Sequence, residues 1–226
     1  MERPLSGRSL VALPPLGREF YQRPTRAVAR ELLGKLLVRA LPEGVVVVRL
    51  VEVEAYLGVS DPAAHTFRGR RTARNEVMWG DGGHLYVYFT YGMHFCMNLV
   101  TQTAGVPQAV LLRAALPVRG EEIVVARRAG RAGRDVLDGP ARLCQGLGVG
   151  RDLNGADLTT GTEIWLASDG VVCAKSWVRR LPRVGVAYAG EAAAWPLRFA
   201  VDLRAPVSRE RGRGARRGGA APRAGA

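Results

Sequence analysis

Two glutamates interrupt an otherwise apolar stretch, VVVVRLVEVEAYLG, at positions 52 and 54. Residues two apart in a β-strand lie on the same face, so the pattern predicts that Glu52, Glu54 and Tyr56 share one face. A carboxylate at the end of a hydrophobic strand, followed by a tyrosine and a glycine-rich loop, is well placed to act as a general base. The alternative is that this face is solvated and that the glutamates are ordinary surface charges, the commoner environment of glutamate.

A polar segment with a histidine and several arginines, DPAAHTFRGRRTARN, follows this strand. His65 can stack on a flat ring or form a structural hydrogen bond, and both interpretations stay open at this point. Arginine clusters are usually solvated, but beside aromatic residues they are typical of a phosphate clamp on nucleic acid. The residues of this candidate clamp are Arg68, Arg70, Arg71, Thr72 and Arg74.

The segment GGHLYVYFTYGMHFCMNLV, residues 82–100, holds five of the fifteen aromatic residues of the chain. Its alternation predicts a β-hairpin with a turn at residues 91–93. Tyr86 and Tyr88 then share one face, while Tyr91 projects from the tip, where burial gains nothing. Rings below the tip and one ring on it suit a protein that stacks an extruded base and fills the gap left in a duplex. Ordinary packing of aromatic side chains in a hairpin is the alternative.

The composition favours a nucleic-acid partner. The chain of 226 residues carries 33 basic residues (Lys and Arg) against 20 acidic residues, a net charge of +13, and its only lysines are Lys35 and Lys175. Arginine binds phosphate through two hydrogen bonds and stacks on flat rings, so DNA or RNA is the expected partner. Arginine-heavy codon usage and a cationic tail account for part of the excess.

Other functional classes lack their motifs. The three cysteines, Cys96, Cys144 and Cys173, have no C-x-x-C spacing, so neither a zinc site nor a disulfide framework is expected. Walker, dinucleotide-binding, nucleophile-elbow and H-E-x-x-H motifs do not occur, and we expect no cofactor and no metal. The N-terminal stretch has no secretory core, and the longest apolar run, residues 45–48, is too short to cross a membrane. These features indicate a cytoplasmic protein.

Helices and hairpins are expected to alternate along the chain. Helices are predicted at TRAVARELLG, with Thr25 as N-cap, at GEEIVVARRAG and at GPARLCQGLG. A β-hairpin turns at residues 42–44, strands follow at 84–90 and 94–100, and AVLLRAALPV is apolar on both faces and therefore central. Residues 58–83 are expected to form a long functional loop. Later strands are predicted at EIWLAS, VVCAKSW, RVGVAY and PLRFAVD.

Without a regular βαβ rhythm, this order predicts an α+β fold. We expect a single domain, residues 16–203, whose central, curved and mostly antiparallel sheet carries a protruding β-hairpin and is surrounded by helices. Residues 1–15 are expected to form a flexible segment. Residues 204–226, rich in Arg, Gly and Ala, are expected to form a disordered basic tail that adds non-specific affinity for a polyanion.

Several motifs in order resemble the alkylpurine (3-methyladenine) DNA glycosylase family, of the mammalian type. They are VEVEAYLGVSDPAAHTFRGRRTARN, LYVYFTYGMHFCMN, VLLRAALP, GPARLCQGLG and RVGVAYAGEAAAWPLRF, and the resemblance extends from Leu16 to Leu203. It implies a monofunctional enzyme of base excision repair that flips damaged purines out of double-stranded DNA and hydrolyses the N-glycosidic bond, leaving an abasic site. The implied lesions are 3-methyladenine, 7-methylguanine and hypoxanthine. The resemblance also implies a monomer that needs no cofactor.

By this resemblance, Glu54 is the general base that activates a water for attack on the sugar C1′. Arg113 and the backbone carbonyl of Val184 are implied to hold that water. The chemistry agrees, because an alkylated purine is positively charged and already a good leaving group, so a carboxylate and a positioned water are the main requirements. Strand cleavage through a Schiff base is not expected, since Lys175 lies far from the motifs and Lys35 on an apolar strand.

The resemblance also assigns binding roles. Asn98 is expected to disfavour the exocyclic amine of normal guanine, and Tyr91 is expected to intercalate in the duplex. The pocket for the flipped base is expected to consist of Tyr56, His65 and Tyr88. The further DNA contacts are expected from Arg71, Thr72, Arg74 and Met93.

The sequence departs from the family pattern at His94, where an aromatic residue is usual, and at Arg142, where lysine is usual. The family's C-terminal ending is also shortened to RAPVSR.

Two other functions stay open. A non-catalytic nucleic-acid-binding module would explain the charge and the aromatic residues without Glu54. A helix-hairpin-helix glycosylase would explain LPRVGVAYAG, although the flanks of that segment are predicted as strands.

Overall fold

A computed structural model of the chain describes residues 13–133, 135–202 and 208–209. The α-helices within these ranges are α1 (Arg18–Tyr21), α2 (Thr25–Leu32), α3 (Glu121–Arg127) and α4 (Pro140–Gly146). The strands in the same ranges are β1 (Leu36–Leu41), β2 (Gly44–Tyr56), β3 (Leu85–Thr90), β4 (His94–Thr101), β5 (Gln108–Arg119), β6 (Ile164–Ala167), β7 (Val171–Val172), β8 (Val178–Leu181), β9 (Arg198–Val201) and β10 (Ser208–Arg209).

Eight of these strands form one antiparallel sheet around the long strand β2. The strand order is β3-β4-β5-β2-β1-β6, and β9 pairs with β2 and with β8. One edge of β2 is shared by β1 and β9, while the other edge carries β5. The valine-rich sequence of β2 favours this central place, because β-branched side chains pack well on a buried pleated surface. The sheet curls into a half-barrel, and the predicted single-domain α+β fold is confirmed.

Both predicted β-hairpins are present. β1 and β2 turn at residues 42–43, with Leu41 opposite Gly44. β3 and β4 are joined by residues 91–93, with Thr90 opposite His94, and the tip of this second hairpin is exposed. β5, predicted as a central strand, pairs with β4 on one side and β2 on the other.

The predicted helices are present, but the prediction that Thr25 is the N-cap of α2 is wrong. The helix begins at Thr25 and is preceded by Pro24 at the N-cap position. The Thr25 hydroxyl donates to Gln108 Oε1 at 2.6 Å and lies 2.7 Å from the Thr101 hydroxyl, so tertiary partners take the group that would have capped the helix. α4 begins at Pro140, as predicted, and packs on β4 and β5.

Two strands predicted in the C-terminal third are wrong. In VVCAKSW only β7 is extended, where it pairs with β10, and the chain then turns into a 3₁₀ helix at Lys175–Trp177. RVGVAY is not a strand either, and it leads into a 3₁₀ helix at Ala187–Ala194. Its local β-pattern is outweighed by polar contacts of Arg183 and Val184 with acidic groups near β2. The strand in this region is β8, which the pattern did not predict.

The long loop predicted over residues 58–83 is confirmed, and it is well organised. It contains short 3₁₀ helices at Gly58–Ser60, Phe67–Gly69 and Glu76–Trp79. Buried Asn75 donates to two backbone carbonyls of the loop and accepts from one backbone N–H. A loop fixed in this way can hold functional side chains in place.

The predictions for the chain ends fall largely outside the described residues. Of the predicted flexible segment 1–15, residues 13–15 are described and have no regular secondary structure. Of the predicted tail 204–226, residues 208–209 are described, and they pair with β7, which differs from the disorder predicted there.

Candidate active site

A cavity of about 410 Å³ opens where the end of β2 meets β3, β4, β5 and residues 184–188. This volume is typical of a pocket for a small ligand. The predicted site residues in its wall are Tyr56, His65, Arg74, Tyr88, Tyr91, Asn98, Arg113 and Val184. The fold therefore brings into one wall predicted residues as distant in the chain as Tyr56 and Val184, which are 128 positions apart.

Glu54 lies behind this wall with an exposed fraction of 0%. The backbone N–H of Val184 donates to its Oε1 at 2.8 Å, and the Tyr56 hydroxyl donates to its Oε2 at 2.9 Å. Arg113 Nη1 lies 3.4 Å from Oε1. All three partners line the cavity, whereas Glu54 itself is not among the residues of its wall. The alternative of a solvated face is wrong for Glu54.

Burial raises the pKa of Glu54 above the ordinary glutamate value. The Arg113 charge, the Val184 N–H and the Tyr56 hydroxyl act in the opposite direction, because each stabilises the ionised form. Nearby Glu52 raises this pKa further. A carboxylate with a raised pKa accepts a proton more readily, which suits a general base.

A second carboxylate fixes the guanidinium of Arg113. Glu52 Oε1 accepts from Arg113 Nε at 2.8 Å and from Arg198 Nη1 at 3.2 Å. The register between β2 and β5 shifts on both sides of Glu52, which marks a β-bulge, a feature that re-aims side chains beside many active sites. Glu52 and Glu54 nevertheless both reach Arg113, so the face that they were predicted to share is confirmed.

Three rings, those of His65, Tyr86 and Tyr88, form an aromatic group on another part of the wall. The centroid of the Tyr88 ring lies 4.7 Å from His65, edge on, and 5.4 Å from Tyr86. His65 Nδ1 and the Tyr86 hydroxyl are 2.9 Å apart. Among the ring pairs found in the described residues, Tyr56 is not in contact with this group.

Burial, together with the charges of Arg74 and Arg70, lowers the pKa of His65 to about 4. The ring is therefore neutral near neutral pH, and it can stack on a cation without charge repulsion. Asn98, also in the wall, is 4% exposed and donates from Nδ2 to the Tyr86 carbonyl at 3.2 Å. This hydrogen bond fixes the orientation of its amide.

The tip of the β3–β4 hairpin is exposed and strained. Tyr91 is 83% exposed and has a φ of 52°, and Gly92 has a φ of 66°. The left-handed region costs a residue with a side chain roughly 1–2 kcal/mol, which glycine avoids. Met93 is also largely exposed, and its N–H closes the turn on the Thr90 carbonyl. A large ring held in water at this cost points to a binding role.

Two residues of the candidate clamp, Arg71 and Thr72, form hydrogen bonds within their own loop. Arg71 forms two hydrogen bonds with Glu76 at 2.9 and 2.5 Å. Thr72 binds Asn75 through its N–H and its hydroxyl. Arg74 ties the loop to the hairpin, because its Nη2 donates to the Phe89 carbonyl at 3.2 Å. Arg71 and Thr72 lie outside the wall of the main cavity.

Two further clefts are lined mainly by basic side chains among their charged groups, and one of them adjoins the cavity. The first, of about 330 Å³, shares His65, Arg74, Tyr86 and Tyr188 with the main cavity and adds Arg70, Thr72 and Asn75. The second, of about 400 Å³, is lined by His94, Arg128, Ala129, Arg131, Ala141, Arg142 and Gln145. We call them the loop cleft and the α4 cleft. Both suit a phosphate better than a cation.

A family model described as "Methylpurine-DNA glycosylase (MPG)" matches residues 19–205. The chain belongs to the methylpurine-DNA glycosylase family. It is accordingly a DNA glycosylase, a hydrolase of N-glycosyl bonds that acts in DNA repair.

Several proteins are similar to this DNA glycosylase along most of its length. A protein of Methanocella arvoryzae, named "Putative 3-methyladenine DNA glycosylase", is 48% identical over 203 residues, which cover 89% of this chain and 99% of that protein. Proteins with the same name are 46% identical in Streptomyces avermitilis, covering 88% of this chain and 94% of that protein, and 43% identical in Desulfitobacterium hafniense, covering 83% and 95%.

Sequence reasoning missed Tyr188 in the cavity wall and an ion pair behind it. Tyr188 is 71% exposed, lines both the cavity and the loop cleft, and donates from its hydroxyl to the Ala63 carbonyl at 3.1 Å. Asp61 and Arg183 form a buried ion pair next to Tyr56. The pair had no local signal, because its members are 122 residues apart.

Several features are not found in the described part of the glycosylase. No group of three or more His, Cys, Asp and Glu side chains is arranged to hold a metal ion there. Over the same residues, no helix combines the length and apolar character needed to cross a membrane. RVGVAYAG leads into a 3₁₀ helix rather than lying between two α-helices, which argues against the helix-hairpin-helix alternative.

Proposed function

We propose that this glycosylase extrudes alkylated and deaminated purines from double-stranded DNA and hydrolyses their N-glycosidic bonds with a water activated by Glu54. One observation carries the proposal. The fully buried Glu54 carboxylate binds Tyr56, Val184 and Arg113, and all three of these partners line a cavity large enough for one base. A buried carboxylate with a raised pKa beside a pocket is a recurring feature of general bases.

The attacking water is proposed to bind beside Arg113 and the carbonyl of Val184. The separation of 3.4 Å between Arg113 Nη1 and Glu54 Oε1 is the longest of the three contacts of the carboxylate, and we expect the water to enter there. The water oxygen bonds to C1′, its proton passes to Glu54, and the electron pair of the broken C1′–N bond leaves with the base. General-base catalysis of this kind contributes roughly 10²–10⁴ in rate. Ionised Glu54 also stabilises the oxocarbenium character of the sugar.

The extruded base is proposed to lie between Tyr56 and the aromatic group of His65, Tyr86 and Tyr88. Electron-rich rings and a neutral imidazole favour a cationic purine such as 3-methyladenine or 7-methylguanine. These bases leave as neutral molecules, so no acid is needed. Hypoxanthine is neutral and needs protonation in addition. The fixed amide of Asn98 in the wall is proposed to reject the exocyclic amine of normal guanine.

The surroundings of the cavity support duplex DNA as the partner. Exposed Tyr91 is proposed to enter the base stack and fill the gap left by the extruded nucleotide, with Met93 beside it. Arg74 in the loop cleft, and Arg131 and Arg142 in the α4 cleft, are proposed to bind backbone phosphates. Arg71 and Thr72 stabilise the loop that carries Arg74, so we expect them to contact DNA at its edge.

The reaction is proposed to be monofunctional. A glycosylase that also nicks the strand needs an amine at C1′. Lys35 binds Ser168 instead, Nζ to Oγ at 2.9 Å, and neither it nor Lys175 contributes to the cavity wall. A lyase product from duplex DNA would contradict this part of the proposal.

The decisive experiment measures release of free base from methylated duplex DNA by the purified full-length chain. We expect the wild type to release 3-methyladenine and 7-methylguanine and to leave an intact strand with abasic sites. Glu54→Gln should lose release by roughly 10²–10⁴ while it still binds lesion DNA. Glu52→Gln, in the neighbouring carboxylate, is the matched control and should retain much more activity. A wild type that binds DNA but releases no base would favour the non-catalytic binding module instead.

A further inference from the structure

The Asp61–Arg183 pair is the most deeply buried ion pair near the cavity, and both side chains are 0% exposed. Arg183 Nη1 donates to Asp61 Oδ2 at 2.5 Å, and Nη2 donates to Oδ1 at 2.9 Å. The contact is a two-point fork between guanidinium and carboxylate, which fixes orientation as well as distance. Nothing in the proposed chemistry uses either side chain directly.

Each member of the pair also binds backbone groups from separate segments. Asp61 accepts the N–H of Leu57 at 2.9 Å and that of Ala63 at 3.0 Å, so it fixes the chain where β2 leaves the sheet. Arg183 donates to the carbonyl of Ala55 at 3.0 Å and to that of Ala192 at 3.4 Å. The pair therefore clamps residues 183–192 onto the end of β2.

Two of the three contacts of Glu54 depend on this clamp. The Arg183 guanidinium carbon lies 4.7 Å from the centre of the Tyr56 ring, which supports one side of the ring whose hydroxyl donates to Glu54. Val184, whose N–H donates to Glu54, is the next residue after Arg183. A shift of Arg183 would therefore move the Tyr56 hydroxyl and the Val184 N–H together.

We propose that Arg183, held by Asp61, is a positioning residue that aligns Tyr56 and Val184 on Glu54 and so sets the geometry of the proposed general base. The proposal rests on the function proposed for Glu54. It goes further by assigning the alignment of that carboxylate to a pair that touches neither the cavity nor the base.

The test is Arg183→Lys, which keeps the positive charge but removes the two-point fork. Since misplacement by about 1 Å can cost roughly 100-fold in rate, we expect a loss of that order in single-turnover excision of 7-methylguanine, with little change in affinity for lesion DNA. The matched control is Arg49→Lys. Arg49 makes the same two-point contact, with Asp169 at 3.1 and 2.7 Å, and a further bond to the Gly34 carbonyl, but neither Arg49 nor these partners are among the groups that act on Glu54.

A pH profile separates positioning from a merely structural role. Glu54 is faced by Arg113 from β5, by Glu52 and Tyr56 from its own strand, and by the Val184 N–H. If Arg183→Lys misaligns the Tyr56 and Val184 donors, ionised Glu54 loses stabilisation, and the acidic limb of the rate profile should move to higher pH. Arg49→Lys should lower thermal stability at most, with an unchanged profile.

A second variant keeps the test decisive if Arg183→Lys does not fold. Asp61→Asn preserves the shape of Asp61 and removes the charge that holds Arg183. We expect a smaller loss of rate than in Arg183→Lys, and the acidic limb of the pH–rate profile should again move to higher pH. An unchanged rate and profile in whichever variant folds, beside an active wild type, would overturn the positioning role alone. An inactive wild type would instead overturn the function proposed for Glu54.

Discussion

Two parts of the candidate site are built in opposite ways: the rim, which is the exposed hairpin tip at residues 91–93, and the floor, which is the buried Glu54 carboxylate with its hydrogen-bond partners. At the rim, the ring of Tyr91 is exposed to solvent from a strained three-residue loop. At the floor, Glu54 is fully buried and both of its carboxylate oxygens accept hydrogen bonds. The rim can gain partners when DNA binds, whereas the floor has its partners in advance. Groups fixed before the reaction need little reorganisation during it, which favours the floor for chemistry and the rim for recognition.

This difference between rim and floor predicts that a change at the floor lowers the rate of bond cleavage without lowering the affinity for lesion DNA. Glu54→Asp keeps the charge but withdraws the carboxylate by one methylene from the Tyr56 hydroxyl and the Val184 N–H. Because a displacement of about 1 Å can cost roughly 100-fold, single-turnover excision should fall on that scale while binding of lesion DNA persists. Glu52→Asp should have a smaller effect. A parallel loss of affinity and rate in Glu54→Asp would contradict the assignment of chemistry to the floor and recognition to the rim.

Salt should act on the clefts beside the rim and leave the floor unaffected. Four exposed arginines, Arg70, Arg74, Arg131 and Arg142, line the loop and α4 clefts. Neutralising four phosphates predicts a loss of affinity of about 100-fold when salt rises from about 50 to about 200 mM. The cleavage rate of the preformed complex should stay constant over this range. Arg131→Gln should lower the salt slope by about one. An affinity insensitive to salt would rule out phosphate contacts here.

Removal of the rim ring should affect recognition of damage more than binding as such. A stacked aromatic ring contributes roughly 1–3 kcal/mol per base, so Tyr91→Ala should weaken lesion-specific binding about tenfold or more. Binding to undamaged duplex should change far less, and Tyr91→Phe should retain most of the specific affinity. Competition binding with matched damaged and undamaged duplexes measures both. Equal losses on the two duplexes would make Tyr91 a packing residue.

A pH profile tests whether the floor works as an ionised base. The pKa of Glu54 is raised, so excision should decline as pH falls through a value above that of an ordinary glutamate. Tyr56→Phe keeps the ring but removes a donor that lowers this pKa, so the acidic limb should move to still higher pH. 7-Methylguanine is the appropriate lesion because its charge is fixed, and His65, with a pKa of about 4, titrates lower. Superimposable profiles would exclude a role for this hydrogen bond.

The smallest expected effect concerns the stability of the rim. Asparagine tolerates the left-handed conformation that Tyr91 adopts, so Tyr91→Asn should raise the free energy of unfolding by up to about 1 kcal/mol while lesion binding falls. For a chain of this size that is a rise of about 2–4 °C in Tm. Gly92→Ala is the control of opposite sign, because Gly92 has a positive φ with nothing near its Cβ position. An unchanged or lower Tm for Tyr91→Asn would argue against strain at the tip.

The fold was largely predictable where local pattern and long-range pairing agree. The valine-rich β2, the alternating hairpin of β3 and β4 and the apolar β5 each carry a pattern that matches their place in the sheet. The predictions failed where a distant partner decides the structure. The hydroxyl of Thr25 binds other side chains rather than capping its helix, and RVGVAY bends because Arg183 and Val184 bind Asp61 and Glu54.

The candidate site was predictable in its members more than in its arrangement. Most of the predicted residues line one cavity, because they belong to motifs whose order along the chain is distinctive. Tyr188 and the Asp61–Arg183 pair were missed, since an exposed tyrosine and single charges in loops have no pattern of their own. The N–H of Val184 contacts Glu54, whereas the role expected for its carbonyl remains a prediction.

The sequence by itself determined the strand pattern, the concentration of aromatic rings at one hairpin, the positive charge and the family to which the chain belongs. These properties follow from the types of neighbouring residues and their spacing. The burial of Glu54, its raised pKa and the identity of its donors were decided only by the tertiary structure. The reason is physical: desolvation and hydrogen bonding depend on which groups lie within a few ångströms, and the Val184 N–H comes from 130 residues away in the chain.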